Sequence, residues 1–145
     1  MKKGIFCLIA ALALCLLWGC QQEDAMITQL TFDRGSGSTW GSQFYIQLSP
    51  EQILQLRYIP EGSTELVTRE QLPIDSQTWQ ALLQLLEELT LEKADPLKGL
   101  LGGKADGADY RRLTVTYGSR QVTYRWPENG EKLEEFLENL GRSIP

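Results

Sequence analysis

The chain has 145 residues, with 14 basic and 19 acidic side chains, no histidine, three cysteines and a formal net charge of −5. An acidic protein repels phosphate, so binding to nucleic acid is not expected. The lack of histidine excludes Ser-His-Asp and Cys-His catalysis and removes a principal zinc ligand. Carboxylate pairs or a Ser-Lys pair remain as catalytic groups that the composition permits, but the sequence has no motif for either. We therefore expect a non-enzymatic protein without a cofactor or a bound metal.

The N-terminus has the three zones of a signal peptide. Lys2 and Lys3 precede an apolar segment, residues 5–18, and polar residues begin directly after Cys20. A basic start followed by an apolar core of this length is typical of an export signal. Residues 17–20, with the sequence LWGC, resemble the lipobox of bacterial lipoproteins, where leucine lies three positions before an obligatory cysteine and a small residue precedes it.

This resemblance implies an organisation for the whole chain. A peptidase would cleave between Gly19 and Cys20, and Cys20 would become the acylated N-terminus. Residues 1–19 would be the signal peptide, residues 20–25 a tether, and residues 26–145 a single globular domain. Two acyl chains, at about 0.8 kcal/mol per buried CH₂, hold a protein firmly on a bilayer. The expected location is therefore extracytoplasmic, on a bacterial membrane. Loss of two lysines and no acid would change the formal charge from −5 to −7.

Three other interpretations of the N-terminus leave Cys20 unmodified. An uncleaved transmembrane helix needs about 20 apolar residues, and residues 4–19 are fewer. Ordinary secretion would use residues 11–13 (ALA) as the cleavage site, which leaves a short apolar core. Chance placement of the cysteine is the third, because Cys7 and Cys15 lie in the same segment.

The first half of the mature chain is predicted to form four strands, since apolar residues recur there with a period of two. Leu54, Leu56 and Tyr58 would share one face of the third strand. We interpret residues 49–52 (SPEQ) as a turn, although a helix cap would also fit them. The other predicted strands cover residues 26–33, 43–48 and 64–70, and residues 34–42 are predicted as a glycine- and serine-rich loop.

A helix is predicted to follow. Asp75 has the position of an N-cap, and Ile74 and Trp79 have the spacing of a hydrophobic staple. The apolar stripe of this helix consists of Trp79, Leu82, Leu83, Leu86 and Leu89. Residues 93–109 contain proline and several glycines without periodicity, so we predict a long loop there.

The last third is predicted to be a β-hairpin and a second helix. Gly118 and Ser119 fit a two-residue type II′ turn. The resulting pairs are Val115 with Val122, Leu113 with Tyr124, Thr114 with Thr123, and Arg112 with Arg125. The helix would run from about residue 128 to residue 140, with Gly141 ending it. Its apolar stripe consists of Leu133, Phe136, Leu137 and Leu140.

These elements predict an α+β fold with the order ββββ-α-ββ-α. Because each strand has one face that suits water, the sheet of about six strands should be antiparallel. The two amphipathic helices would cover its apolar face and form a two-layer domain.

Two arginines of the predicted hairpin form a candidate binding site. Arg112 lies opposite Arg125 in the predicted register, with Arg111 nearby, and like charges so placed repel each other unless an anion lies between them. The functional interpretation is an anion site on an acidic protein. The structural alternative is pairing with acids on a neighbouring strand, such as Asp33 or Glu65.

Trp40 is a second candidate, because a tryptophan in a glycine-rich loop can stack on a sugar or an apolar partner. Alternatively, its ring folds back over the edge of the core. Asp95, Asp106 and Asp109 do not have the spacing of an EF-hand, so a solvated loop is expected there rather than a calcium site. We interpret two further acidic pairs as solvating charge on helix surfaces: Glu87 with Glu88, and Glu134 with Glu135.

Three functions fit these features. The first is a lipid-anchored envelope protein that binds a protein or a glycan through Trp40 or the hairpin arginines. The second is an inhibitor or immunity-type lipoprotein that blocks a secreted enzyme with one exposed loop. The third is an enzyme that uses carboxylates alone. A flat polar sheet face would favour the first, a protruding ordered loop the second, and a cleft with two facing acids the third.

Overall fold

The structure, a computed structural model, describes residues 26–36, 42–94 and 109–144. The predicted signal peptide and tether, with Gly19 and Cys20, lie outside the described residues, as does Trp40. Most of the predicted long loop, with Asp95 and Asp106, lies outside them as well.

The described residues form one open six-stranded antiparallel sheet with two helices. The strands are β1 Ile27–Ser36, β2 Ser42–Leu48, β3 Gln52–Tyr58, β4 Val67–Pro73, β5 Asp109–Tyr117 and β6 Arg120–Arg125. In the sheet they lie in the order β4-β3-β2-β1-β5-β6. Helix α1 is Ser76–Glu87 and helix α2 is Glu131–Ser143. The chain order ββββ-α-ββ-α confirms the predicted α+β fold.

The core lies between one face of the sheet and the two helices. Alternate strand residues and the helical stripes meet there, as the periods of two and 3.6 residues require. Complete burial of each such side chain stabilises the fold by about 1.5–3 kcal/mol. The buried sheet residues include Leu30, Phe32, Ile46, Leu48, Leu113 and Val115, and the buried helix residues include Trp79, Leu82, Leu86, Leu133 and Leu137.

The start of α1 confirms the predicted cap. The Thr78 backbone N–H donates a hydrogen bond of 2.7 Å to Asp75 Oδ1. This bond, which stabilises the ionised carboxylate, lowers the pKa of Asp75 from its ordinary value of 3.8. Ile74 packs against the core cluster that contains Trp79, as a hydrophobic staple does.

The predicted end of α2 is wrong. The helix runs from Glu131 to Ser143, so Gly141 lies inside it. A Cβ at Gly141 would lie 3.1 Å from Leu56 Cδ1 and 3.3 Å from the Phe44 ring. The glycine therefore allows the last turn of the helix to lie very close to the sheet, and it does not stop the helix.

The predicted face of β3 is also partly wrong. The β2–β3 register shifts between Gln47 and Leu48, and one extra β3 residue, Leu54, is accommodated there. This β-bulge places Ile53 and Leu56 in the core and leaves Leu54 half-buried. A prediction from a strict period of two residues could not include this β-bulge.

Several strand boundaries differ from the prediction. Strand β1 continues to Ser36 and takes in the start of the predicted loop, residues 34–42. Strand β4 is Val67–Pro73, three residues later than the predicted range of 64–70. The turn at residues 49–52 is confirmed, with Ser49 N donating to Gln52 O at 2.8 Å.

The predicted hairpin register is confirmed at every position. Strands β5 and β6 pair Val115 with Val122 and Leu113 with Tyr124. The two-residue turn begins at Gly118, which has a φ of 58°. Only a glycine adopts this conformation without strain in a type II′ turn, so one local feature fixes the alignment of both strands.

Candidate functional site

The sheet face opposite the helices is the main candidate site, and we call it the open face. Its side chains alternate with those of the core, and none of the described helices or loops packs on it. A shallow hollow of about 320 Å³ lies at its centre. The open-face strand residues include Gln29, Thr31, Asp33, Tyr45, Gln47, Gln55, Arg57, Arg112, Thr114, Gln121, Thr123 and Arg125.

One row across the open face carries most of the charge. Asp33 on β1 lies directly opposite Tyr45 on β2 and Arg112 on β5. Tyr45 in turn lies opposite Arg57 on β3, and Arg112 lies opposite Arg125 on β6. The hydrophobic pattern of each strand selects its core face, so the register brings these five residues into one line.

Two tyrosine rings lie on either side of Asp33. The Arg57 guanidinium carbon is 4.3 Å from the centroid of the Tyr45 ring, a cation–π distance. The Tyr110 hydroxyl donates to Asp33 Oδ1 at 3.5 Å. A Cβ at Gly35 would lie 2.6 Å from the Tyr110 hydroxyl oxygen, so the ring packs directly on the glycine backbone. Both rings are therefore fixed by neighbouring groups.

The predicted arginine pair, Arg112 and Arg125, is exposed at one end of this row. Within residues 26–36, 42–94 and 109–144, no carboxylate forms an ion pair with either guanidinium. Asp33 lies opposite Arg112 in the register and accepts a hydrogen bond from the Tyr110 hydroxyl. Glu65 precedes β4, four strand positions from β5, so at about 4.8 Å per strand it is too distant to be the expected partner.

Arg111 does not belong to this site. It lies on the helix face, because adjacent strand residues point to opposite faces. Its Nε atom lies 2.9 Å from Glu134 Oε2, and Arg34 Nη1 lies 2.7 Å from Glu134 Oε1. Arg34 also contacts Glu138.

The interpretation of Glu134 as solvating charge is therefore wrong, since its carboxylate connects α2 to β1 and β5. Glu87, Glu88 and Glu135, by contrast, are exposed.

Charge is unevenly distributed between the two layers. The strand residues of the open face include three arginines and two carboxylates, Asp33 and Glu70. Glu70 accepts a hydrogen bond of 3.2 Å from Gln55 Nε2. Helix α2 carries four glutamates, at positions 131, 134, 135 and 138. The Arg125 backbone N–H donates to Glu92 O, which places Glu92 beside Arg125 at the edge of the open face. The open face thus has balanced charge in a chain with net charge −5.

An apolar groove of about 610 Å³ lies between α1 and the end of β5. Trp79, Leu83 and Tyr117 contribute to its lining. The Tyr117 and Tyr124 hydroxyls are 2.9 Å apart. The pKa of Tyr117 is raised from 10.0 to about 12, mainly by burial and secondly by this hydrogen bond. This groove was not predicted from the sequence, although the wide apolar surface of α1 was a signal for it.

A second hollow, beside the end of β6, is lined in part by Glu92, Arg125, Trp126 and Glu128. Both glutamates are exposed. The hollow therefore presents two carboxylates to solvent beside the Arg125 guanidinium.

The loop between β3 and β4 protrudes from the sheet edge. The Ser63 N–H donates to Pro60 O at 3.0 Å, and Gly62, with a φ of 75°, supplies the third position of a type II turn. Ile59 is 39% exposed and Leu66 is 52% exposed. Two apolar side chains thus flank an ordered turn.

Among the described residues, no group of three or more aspartate, glutamate, cysteine or histidine side chains could hold a metal ion. No helix within the same residues has the length and apolar character needed to cross a membrane.

Comparisons of the chain with protein-family models, with curated proteins and with solved structures gave no match.

Proposed function

We propose that the protein is a lipid-anchored, non-enzymatic protein of the bacterial cell envelope that binds an envelope protein or glycan through its open face. The observation that carries this proposal is the open face itself. A polar surface with two fixed tyrosine rings lies on six strands, and no described element covers it.

The open face is suited to recognition because its groups are preorganised. Strands hold the side chains in a fixed register, so little conformational entropy is lost when a ligand binds. Thr31, Gln47 and Thr114 supply hydrogen-bonding groups around the central hollow, and Tyr45 lies beside them. The absence of histidine and the exposure of Glu92 and Glu128 favour binding over catalysis.

The LWGC sequence supports the anchor. Cys20 and Met26 are separated by six peptide steps, so at no more than about 3.6 Å per residue the domain would lie within about 22 Å of an acylated cysteine. A mature chain with net charge −7 is repelled by anionic lipid headgroups. The acyl chains would therefore supply the membrane affinity.

The anchor is tested by metabolic labelling with a fatty acid, with wild type beside Cys20→Ala. We expect label on the wild type alone, and an intact mass that corresponds to residues 20–145 plus acyl groups. Cys15→Ala is the matched control, and it should be labelled like wild type. Equal labelling of wild type and Cys20→Ala, or an unmodified chain that begins at Met1, would contradict the proposal.

The binding face is tested by retention of purified envelope fractions, separated into protein and polysaccharide, on the immobilised mature chain. Thr31→Arg places a long side chain over the centre of the open face and should abolish retention. Asn139→Arg, at an exposed position of α2, is the control and should retain as wild type does. Equal retention by wild type and Thr31→Arg, with both variants folded by circular dichroism, would exclude the open face.

The loop between β3 and β4 supports a second candidate, an inhibitor of a secreted enzyme. Ordered loops with exposed apolar side chains can occupy a cleft on a partner, and Leu66 is 52% exposed beside a fixed turn. In that case Leu66→Asp should abolish binding to the partner enzyme, whereas Thr31→Arg should leave it unchanged. The opposite pattern would support the open face.

A further inference from the structure

We propose that the ligand of the open face is a carboxylate-bearing glycan, with a carboxylate between Arg112 and Arg125 and a sugar ring against Tyr45 or Tyr110. This inference rests on the proposed function, since it names the ligand class for the same face.

The arginine pair provides the anion site. Arg112 and Arg125 are direct partners in the β5–β6 register, and Cα atoms of such partners lie about 4.5–5.5 Å apart. Like charges on directly opposite strand residues are destabilising, and a carboxylate between the two guanidinium groups would remove the repulsion. The planar fork of each arginine also matches a carboxylate in two-point hydrogen bonding.

The neighbouring row supplies hydroxyl groups. Thr114 and Thr123 lie two residues along each strand from Arg112 and Arg125, on the same face, and their Oγ1 atoms are 3.2 Å apart. Because either hydroxyl can donate to the other, the remaining donor and lone pairs are available to a ligand. This arrangement suits a hydroxylated chain that carries an anionic group.

The local carboxylates limit the charge of the ligand. Asp33 lies opposite Arg112, and Glu92 and Glu128 share a hollow with Arg125. Glu92 lies beside Arg125 across the backbone pairing of residues 92–94 with β6, so Asp33, Glu70 and Glu92 balance the three arginines of the open face. A balanced face with one local arginine pair matches one singly charged group better than a dianionic phosphate monoester or a nucleic-acid backbone.

The tyrosines favour a sugar over a peptide. Tyr45 and Tyr110 lie on either side of Asp33. Arg57 covers one face of the Tyr45 ring and the Tyr110 ring packs on Gly35, so a sugar would contact the other ring face or the ring edge. The nearby residues Gln47, Thr31 and Gln29 are hydrogen-bonding groups, and no large apolar side chain of the open-face strands is exposed among the described residues. A bound peptide would need apolar pockets for its side chains, whereas a sugar chain needs hydroxyl partners and ring faces.

The test is calorimetric titration of the complete mature protein, acylated and in detergent, with polygalacturonate and with its methyl-esterified form. The two polymers share a backbone and differ in charge. We expect polygalacturonate to bind at least about tenfold more tightly than the ester, as the loss of charge-assisted hydrogen bonds requires. Binding of polygalacturonate should weaken as the salt concentration rises.

Charge reversal locates the anion site. Arg112→Glu and Arg125→Glu should each weaken binding of polygalacturonate by at least about tenfold. Arg120→Glu is the matched control, because Arg120 is an exposed cation of the same strand that lies over Tyr117, on the helix side. It should bind like wild type, and circular dichroism should show that all three variants are folded.

The outcomes separate this inference from the proposed function. If wild type binds the two polymers with equal affinity and Thr31→Arg binds neither, the open face binds glycans, but the claim that the ligand must carry a carboxylate is overturned. Equal affinity for polyglutamate or phosphorylated dextran would overturn the ligand class. Retention of envelope protein that Thr31→Arg abolishes, without any glycan binding, would overturn the inference and leave the proposed function standing. No effect of Thr31→Arg on any ligand would overturn both.

Discussion

Tyr117 makes the stability of the domain sensitive to alkaline pH. Its pKa is raised from 10.0 to about 12 by burial and by the hydrogen bond with Tyr124, so folding favours the neutral phenol. The contribution is complete below pH 10 and is lost as the pH rises through 10 to about 12. We expect the free energy of unfolding, measured in urea, to fall more steeply over that interval in wild type than in Tyr117→Phe.

The phenylalanine variant is an internal control for the other titrating groups. Tyr117→Phe keeps the ring and removes only the hydroxyl, so the difference between the two proteins reports the effect of that hydroxyl. At pH 8 the variant should be less stable by about 1 kcal/mol, because Tyr124 loses its hydrogen-bond partner. Identical slopes for the two proteins between pH 10 and 12 would show that Tyr117 titrates normally in the folded state.

Gly141 is required by packing. A Cβ there would lie 3.1 Å from Leu56 Cδ1, so any larger side chain pushes α2 away from the sheet. Overpacking of this kind destabilises by about 1–3 kcal/mol, against a gain of up to about 1 kcal/mol from helix propensity. We therefore expect Gly141→Leu to lower the free energy of unfolding by about 1–2 kcal/mol in urea titrations.

Asn139→Leu provides the comparison for Gly141→Leu, because Asn139 is exposed on the same helix. This variant gains helix propensity without crowding, so its stability should stay within about 0.5 kcal/mol of wild type. A stabilised Gly141→Leu would mean that the sheet yields readily to the new side chain.

Helix α2 is attached to the sheet by charge as well as by apolar packing. Glu134 accepts from Arg34 on β1 and from Arg111 on β5, and its side chain is only 12% exposed. Hydrogen bonds to charged groups contribute about 1.5–3 kcal/mol when they are shielded from water. Glu134→Ala should therefore lower the free energy of unfolding by about 1–3 kcal/mol, whereas Glu135→Ala, at an exposed position, should change it by less than about 0.5 kcal/mol. Equal effects would mean that water screens the helix–sheet pairs fully.

Elements set by local chemistry could be predicted, and those set by distant contacts could not. Gly118 fixes the hairpin turn, so every β5–β6 pair followed from two residues. Asp75 caps α1 through a residue three positions away. The bulge at Leu54 and the continuation of α2 past Gly141 depend on which strand or helix lies beside them. One sequence does not contain that information in a local form.

The same distinction applies to the candidate site. Arg112 and Arg125 were identified because they lie 13 residues apart in sequence, within a single hairpin whose turn sets the register. Asp33, Tyr45 and Tyr110 come from three different strands, and only the sheet order places them together. Alternation along a strand could not show which strands are neighbours.

Charge on the whole molecule follows the layers of the fold. Helix α2 carries four glutamates, and the open face carries Arg57, Arg112 and Arg125. If the domain is anchored to a membrane as proposed, the glutamates of α2 would repel anionic lipid, since like charges repel within about 10 Å in physiological salt. A tethered domain of this kind would present the open face to ligands in the surrounding envelope.

The described fold should also be independent of the N-terminus. All fifteen buried apolar residues of the core lie between Leu30 and Leu137, and the described residues form one sheet. A chain of residues 26–145 should therefore unfold in a single cooperative transition, with the same urea midpoint and slope as residues 21–145. Circular dichroism and tryptophan fluorescence should report the same midpoint. A lower midpoint for the shorter chain would mean that residues 21–25 pack on the domain, and in that case they would hold the open face at a fixed distance from an anchored Cys20.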